Sequence, residues 1–459
     1  MKKTLGSTIA EVTGGTLLGE DQWFFKVSTD TRTLEPGDLF VALKGENRDG
    51  HEFIPAALAK GAGGIITEKE FDTKNTTQII VKDTWKALYA LAFYNRQELG
   101  LKIVGITGSN GKTTTKDLVE NVLAQKFKVK ATEKNYNNEL GVPLTLLGFD
   151  ENTEIGVVEM GMRGLGEIDA LCQITRPDIG IITNIGEAHL ELLKSQQNIA
   201  LAKSELVKNL PENGTAIING ESPYLKEIIL DYPVKKYFFG QKTGDLYIKS
   251  FATAENGVRF TTGGILEEEF YLPIFGIHNA VNALAAIITG LTLGLTKEQI
   301  FEGLKFVKLT GMRMEIKELD GLKIIKDYYN ASPTSTIAAL QVLAGIKSCR
   351  RKIAVLGEMY ELGDYETEGY RRVGEEAFHL GVDFLVTVGS KAEEIAKGAK
   401  AAGMPHQKII SFSLKEEAGE YLINFVRPED VLLLKASRGM KFEELYQIIE
   451  RGWKKNGSN

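Results

Sequence analysis

The stretch "LKIVGITGSNGKTTTK", residues 101–116, decides how the rest of the chain is read. An apolar run of strand type leads into a turn with two glycines, and a lysine and three threonines follow. Strand, loop and helix in that order form a phosphate-binding unit. The usual pattern, G-x-x-x-x-G-K-[ST], asks for a glycine five residues before Gly111. Ile106 stands there, and the extra glycine is Gly108. Glycines at 108 and 111 let the backbone turn tightly, so that successive N–H groups face phosphate oxygens. A helix starting near Lys112 adds its positive end. Lys112 supplies a point charge to the β and γ phosphates, and the Thr113 hydroxyl is a ligand for Mg²⁺.

Outward from the loop, apolar strands alternate with helical stretches: "KIVGITG", "IGVVEMG", "IGIITNIG" and "TAIING". Continuous apolar strands separated by helices predict a mostly parallel sheet covered on both faces. Residues 240–275 alternate apolar and polar and predict antiparallel hairpins appended to that sheet. Near 312 the pattern restarts with "LKIIKDYYN", "KIAVLGEM", "DFLVTVG" and "DVLLLKA", a second α/β unit. Before the loop lie the short strands "DLFVAL" (38–43), "GGIIT" (63–67) and "QIIV" (78–81), and a helix over 84–99 ended by Gly100. The expected division is 1–99, 100–311 and 312–459. It agrees with 459 residues at roughly 150 per domain, each able to bury its own core.

Composition limits the class of function. A net charge of -6 and no basic stripe argue against a nucleic-acid partner. Cys172 and Cys349 are far apart, without metal spacing, which suits a reducing compartment. The start "MKKTLGSTIAEVTGG" is basic but lacks the apolar stretch of a signal peptide, and no run approaches the roughly 20 residues of a membrane span. A cytoplasmic protein is expected.

Phosphate chemistry also needs ligands on neighbouring strand ends, which gather at the carboxyl edge of an open α/β sheet. Glu159 ends "IGVVEMG" and His189 follows "IGIITNIGEA". Singly, each is more often a satisfied polar residue than a ligand. Together, beside a phosphate loop, they make a candidate metal and catalytic set.

The variant loop "GITGSNGKTTTK" resembles that of the Mur ligases and their folylpolyglutamate synthetase relatives, which form amide bonds through an acyl phosphate. "NYNNELGVPLTLL" (135–147), "EMGMRGLGEI" (159–168), "TNIGEAHLE" (183–191), "ALAKSEL" (200–206) and "GIHNAVNALAA" (276–286) are similar to the central ATPase domain of that family. "STDTRTLEPGDLFVALKGENRDGHEF" (28–53) resembles its uridine-nucleotide-binding front domain. "DYYNASPTS", "VLGEMYELGDYE" and "LLLKASRGMKFEE" resemble its Rossmann-like last domain. The resemblance spans essentially the whole chain. It implies three α/β domains: a UDP-sugar domain, a central ATPase with a mostly parallel sheet plus a small antiparallel one, and a C-terminal domain that takes the amine.

The branch can be argued as well. The lysine- or diaminopimelate-adding branch carries D-N-P-R in its last domain, which is absent here, and D-Y-A-H-x-P where this chain has "DYYNASP". "YNASP" and "KASRGMKFE" resemble the branch that joins D-alanyl-D-alanine to UDP-N-acetylmuramoyl-tripeptide. The alternatives are the lysine- or diaminopimelate-adding reaction and, from another class, an ATP-driven switch without ligase chemistry. The switch leaves the uridine-binding front domain without a purpose.

The resemblance also implies residue roles. ATP would be held by Gly108, Ser109, Asn110, Gly111, Lys112, Thr113 and Thr114, with Asn279 and Asn282 at the adenine, Arg313 at the γ-phosphate and Asp327 at the ribose. Thr113 and Glu159 would serve one Mg²⁺ and His189 a second. Lys203 matches a position that carries a CO₂-derived carbamate, a further metal ligand; from the residues alone it is a helix lysine with a solvated head. Ser28, Thr31, Arg32, Asn47 and Asp49 are expected at the uridine diphosphate, and Asn137 and Asn138 at the sugar or the metal. Asn330, Ser332, Ser437 and Arg438 are expected on the dipeptide side, where an arginine fork suits a carboxylate; the competing reading of Arg438 is a surface salt bridge. Three positions depart from the family pattern: Ala436 for a frequent glycine, Ser332 for asparagine, and Tyr370 for histidine, which is given no role. The expected partners are small molecules, with no nucleic acid or membrane, and the expected state is a monomer.

Overall fold

In the computed structural model, residues 1–72, 76–307, 310–311, 314–347 and 349–456 are described, with Lys455 and Asn456 by backbone alone. Three main sheets follow one another along the chain. The first has five strands in the order Thr16–Leu18, Thr77–Ile80, Gly64–Thr67, Leu39–Val41, Val27–Ser28, parallel except for the first pair. The helix Thr84–Leu99 covers it. Asp83 starts that helix by accepting from the N–H groups of Trp85 and Lys86, and Gly100, at φ +59°, ends it in the left-handed conformation.

The second sheet has nine strands. Lys102–Thr107 lies between Ile155–Glu159 and Ile179–Ile182 in parallel register, and Val129–Ala131 pairs beyond Ile155–Glu159 at the edge. Thr215–Asn219 and Lys235–Gly240 extend the parallel part. The hairpin strands Leu246–Ala254, Gly257–Gly264 and Glu269–Leu272 are antiparallel to one another, and join through a short parallel pairing of Phe239 and Gly240 with Leu246 and Tyr247. The third sheet runs Glu315–Leu319, Leu322–Lys326, Val431–Lys435, Lys352–Gly357, Phe384–Val388, Ile409–Phe412, parallel after its first pair.

The first unit buries a small core of its own around Phe40, Ile54 and Ile65, and the rest of its apolar residues join those of the central unit. Leu88, Leu91 and Ala92 of its last helix belong to one continuous cluster with Leu146, Val158, Leu171 and Leu206 from beyond residue 100. Asn95 adds a polar tie inside that seam. Its Nδ2 donates to the carbonyls of Leu146 (2.8 Å) and Phe149 (3.1 Å), and its Oδ1 accepts from the Lys2 N–H (2.8 Å). The third unit is different, because its two clusters draw almost entirely on residues after 312.

The helix Ile277–Thr292 packs against the helix Lys112–Leu123 and is buried from Asn279 through Gly290. Its small side chains, Ala280, Ala283, Ala285 and Ala286, permit that depth. The result holds the phosphate-loop helix between sheet and core, so the loop has a rigid base.

Candidate active site

The register of the central sheet assembles the site. Glu159 lies beside Ile106, and Ile182 beside Thr107, so three strands end at one edge next to the loop. Gly108 (φ +152°) and Gly111 (φ +79°) adopt conformations that side chains resist. A Cβ at Gly111 would press on the Asn282 amide, 2.9 Å away, so Asn282 packs directly against the loop. The segment "TN" of residues 183–184 holds the loop's shape. Ser109 N–H donates to the Asn184 carbonyl (3.0 Å), Asn110 N–H to Asn184 Oδ1 (2.9 Å), and the Thr183 hydroxyl to the Asn110 carbonyl (2.6 Å). Lys112 Nζ reaches back to the Gly108 carbonyl at 2.7 Å. Ser109 Oγ, Asn110 Nδ2, Thr107 Oγ1 and Thr115 Oγ1 are buried with no hydrogen-bond partner among the described residues. Buried polar atoms are ordinarily paired, so such a cluster suits a loop built to receive a polar ligand.

Thr113 and Glu159 meet. The threonine hydroxyl donates to Glu159 Oε2 at 2.7 Å, Asn137 Nδ2 donates to Oε1 at 2.7 Å, and the whole carboxylate is buried. Two hard oxygen donors so close, beside a phosphate loop, fit Mg²⁺. His189 sits in a left-handed conformation (φ +65°) with Nδ1 in close contact with Glu361 Oε2, at 2.6 Å. The His189 ring holds the Glu361 carboxyl below its usual range. No cluster of three or more histidine, cysteine or acidic residues with metal-site geometry occurs among the described residues.

Lys203 corrects the expectation drawn from the residues alone. Its head is not solvated: the side chain is among the largest fully buried ones. Burial, and secondarily the charge of Lys112, push its amine well below the ordinary lysine value. His278 was not singled out from the sequence. Its Nδ1 is buried and unpartnered among the described residues, and burial pulls its pKa from 6.5 to about 4.

A cavity of about 1150 Å³ lies beside the loop; Gly108, Thr113 and Lys203 are not in its wall. Its wall includes Ser109, Asn110, Gly111, Lys112, Thr114, Asn137, Asn138, Glu159, His189, Asn279, Asn282, Asp327 and Asn330 from the expected set. It also includes residues the sequence reading missed: Asn184, His278, Arg372 and Lys435. Asn184, His278 and Lys435 lie inside quoted motifs and could have been found there. Arg372 lies in a helix without a motif and carried no signal.

Other expected residues fall elsewhere. Ser28, Thr31, Arg32, Asn47 and Asp49 are outside the cavity wall. Arg32 is 87% exposed and pairs with Asp30 at 2.7 Å. Asp49 accepts from the His51 N–H and lies 2.6 Å from its Nδ1. Ser332 caps the helix Pro333–Gly345 in a reciprocal box with Ser335, and its hydroxyl also reaches Asn110 Oδ1 at 3.4 Å. Ser437 is buried, accepting from the Tyr360 N–H at 3.0 Å. Arg438 is 54% exposed and pairs with Glu443 at 3.2 Å, in line with the salt-bridge reading. Arg313 lies outside the described residues. Asn279 is the third residue of its helix, and its Nδ2 donates to the Phe275 carbonyl at 2.8 Å. Tyr370 is structural: its buried hydroxyl donates to the Met359 carbonyl and accepts from the Met359 N–H.

Fold and site together define a phosphate-loop nucleotide enzyme whose cavity is shared between its central and last sheets. Residues 26–104 match the catalytic domain of the Mur ligase family, 106–290 its middle domain, and 312–438 its glutamate ligase domain. The chain is 40% identical over 98% of both sequences to the UDP-N-acetylmuramoyl-tripeptide–D-alanyl-D-alanine ligase of Bacillus subtilis (strain 168). It superimposes on a crystal structure of MurF from Acinetobacter baumannii with a TM-score of 0.90, at 31% identity, covering 98% of this chain and 99% of that one. With the MurF ligase of Thermotoga maritima in complex with ADP the TM-score is 0.84, at 30% identity over 94% and 98%. The chain belongs to the Mur ligase family, and within it to the MurF type.

Proposed function

We propose that the protein joins D-alanyl-D-alanine to UDP-N-acetylmuramoyl-tripeptide with ATP, giving ADP and phosphate. The observation that carries this reading is the shared cavity, with the phosphate loop on one wall and Asp327, Asn330 and Arg372 on the other. An enzyme that only hydrolysed ATP would have no use for the second wall.

The chemistry follows from charge. The tripeptide's terminal carboxylate attacks the γ-phosphorus of ATP, bringing two anions together, so positive charge is the first requirement. Lys112 and the loop N–H groups supply it. Thr113 and Glu159 would hold Mg²⁺, which when bound adds charge at the β and γ phosphates. The resulting acyl phosphate is attacked by the dipeptide amine, and phosphate leaves as the amide forms. An α-amino group has a pKa of about 8, so a fair fraction is already nucleophilic and no strong base is needed. Contacts from the last domain, Asn110 to Ser332 and Glu187 to Thr334 (2.6 Å), close over the loop and exclude water from the acyl phosphate.

We also infer that Lys203 reacts with CO₂. Burial disfavours the charged form of its amine, and the neutral form is the one that attacks the CO₂ carbon. Loss of one N–H proton leaves a carbamate anion facing Lys112. This turns a buried amine into an oxygen donor near Lys112. His189 would become a ligand on release from Glu361. The domain limits 1–99, 100–311 and 312–459, the uridine-side residues Ser28, Thr31, Arg32, Asn47 and Asp49, and Arg313 at the γ-phosphate remain part of this reading. So do a monomeric state, supported by a cavity complete within one chain, and a cytoplasmic location. The location agrees with the absence of any described helix long and apolar enough to cross a membrane.

The test is phosphate release from ATP with each substrate omitted in turn. Release should need both the UDP-tripeptide and the dipeptide. Release that persists without either would overturn the reading, and release supported by lysine or diaminopimelate with a UDP-dipeptide would move the protein to the other branch.

A further inference from the structure

The dipeptide carries a free carboxylate that must be met by a cation, and Arg438 points away from the cavity into its pair with Glu443. Two cations of the last domain line the cavity among the described residues, Lys435 and Arg372. Lys435 is buried and already committed: its Nζ lies 2.7 Å from Asp327 Oδ2 and 3.0 Å from the Asn330 carbonyl. Arg372, on the helix Glu366–His379, is 49% exposed. Its recorded contacts are both long and both from Nη1, to Glu187 Oε1 and to the Tyr365 hydroxyl at 3.4 Å each. Nε and Nη2 have no hydrogen-bond partner among the described residues. Glu187, for its part, already accepts a short bond from the Thr334 hydroxyl on its other oxygen.

We propose that Arg372 binds the free carboxylate of the incoming dipeptide and so sets the preference for an acceptor with a charged C-terminus. The proposal rests on the ligase reading above. A guanidinium offers two parallel N–H groups to a carboxylate, a fork that a lysine or an amide cannot reproduce. Arg372 lines the cavity from the domain that covers the phosphate loop. A dipeptide held there by its carboxylate has its amine at the opposite end of an extended molecule, directed into the cavity. Arg163, exposed on the loop after Ile155–Glu159, is the other arginine of the cavity wall among the described residues, but it belongs to the central domain.

The experiment compares D-alanyl-D-alanine with its C-terminal amide, at saturating ATP and UDP-tripeptide, in the wild-type enzyme, Arg372→Met and Arg372→Lys. Wild type should prefer the acid by roughly tenfold to a hundredfold in kcat/KM, the range expected for a charge-assisted hydrogen-bonded pair. In Arg372→Met the KM for the acid should rise by a similar factor, and the preference should collapse towards unity. The KM for ATP should hold, and Arg372→Lys should retain part of the preference. A residue acting only as an interdomain strut would change both acceptors equally. A preference that survives in Arg372→Met, a rise in KM for the UDP-tripeptide instead, or collapse in Arg163→Met but not in Arg372→Met would each overturn the proposal. Wild-type enzyme with no dipeptide-dependent phosphate release would sink the ligase reading itself. Should Arg372→Met fail to fold, Arg372→Gln, which keeps a polar head, makes the same comparison.

Discussion

Lys203 shows how far a single residue can depart from its sequence context. The motif "ALAKSEL" places it on an ordinary helix, and helix lysines usually keep their heads in water. Only the fold buries it. An uncompensated buried amine destabilises a protein, so replacing it with an apolar side chain of similar length removes a cost. Lys203→Met is therefore expected to keep or raise the melting temperature while phosphate release falls by at least a hundredfold, about 2.7 kcal/mol of barrier. Retained turnover would remove Lys203 from the reaction. His278 makes a related prediction about pH. Its folded pKa, about 4, lies below the unfolded 6.5, so between those values the unfolded chain binds a proton that the folded chain refuses. The stability linked to this group is full above 6.5 and is lost as pH falls towards about 4. Urea midpoints at pH 7 and pH 5 should differ less in His278→Gln than in wild type; an equal difference would show that other groups dominate that window.

At the scale of elements, the loop, its strand and the helix Lys112–Leu123 were legible because glycine, lysine and hydroxyl residues have to occupy fixed places for phosphate binding. The Thr84–Leu99 helix was legible because its apolar spacing and its terminal Gly100 are local signals. What was not legible is what that helix packs against. Periodicity marks an apolar face without naming the surface that covers it, and here the cover includes the helix Gly141–Leu147. The seam's polar tie gives a direct check. Asn95→Ala leaves two carbonyls and one N–H of the seam without their partner, a loss of about 2–4 kcal/mol. A urea midpoint within error of wild type would show that water replaces the amide. Arg372 and Glu187 were illegible for a related reason: their partnership crosses 185 residues of sequence and depends on how two sheets are docked.

For the molecule as a whole, the described arrangement is a closed one. Polar contacts bridge the central and last sheets, among them Asn110 with Ser332, Glu187 with Thr334 and Arg372, and Glu361 with His189 and Glu191. Each is individually modest, since a partly solvated polar contact contributes about 1 kcal/mol. Closure is thus poised to respond to ligand instead of being locked. Glu187→Ala combined with Glu361→Ala should increase the radius of gyration measured by small-angle scattering in the absence of nucleotide. An unchanged scattering curve would show that packing alone holds the last domain in place.

The continuous cluster that runs from Leu88 and Leu91 into Leu146 and Val158 has a consequence for modularity. A chimera that exchanges the front sheet with that of a relative would have to repack a hydrophobic seam side chain by side chain. Exchange of the last unit would cut mainly polar bridges. On the reading proposed above, lineages of such enzymes could therefore recombine the portion assigned to the amine far more freely than the portion assigned to the nucleotide-sugar. Acceptor specificity could then drift while the precursor stayed the same.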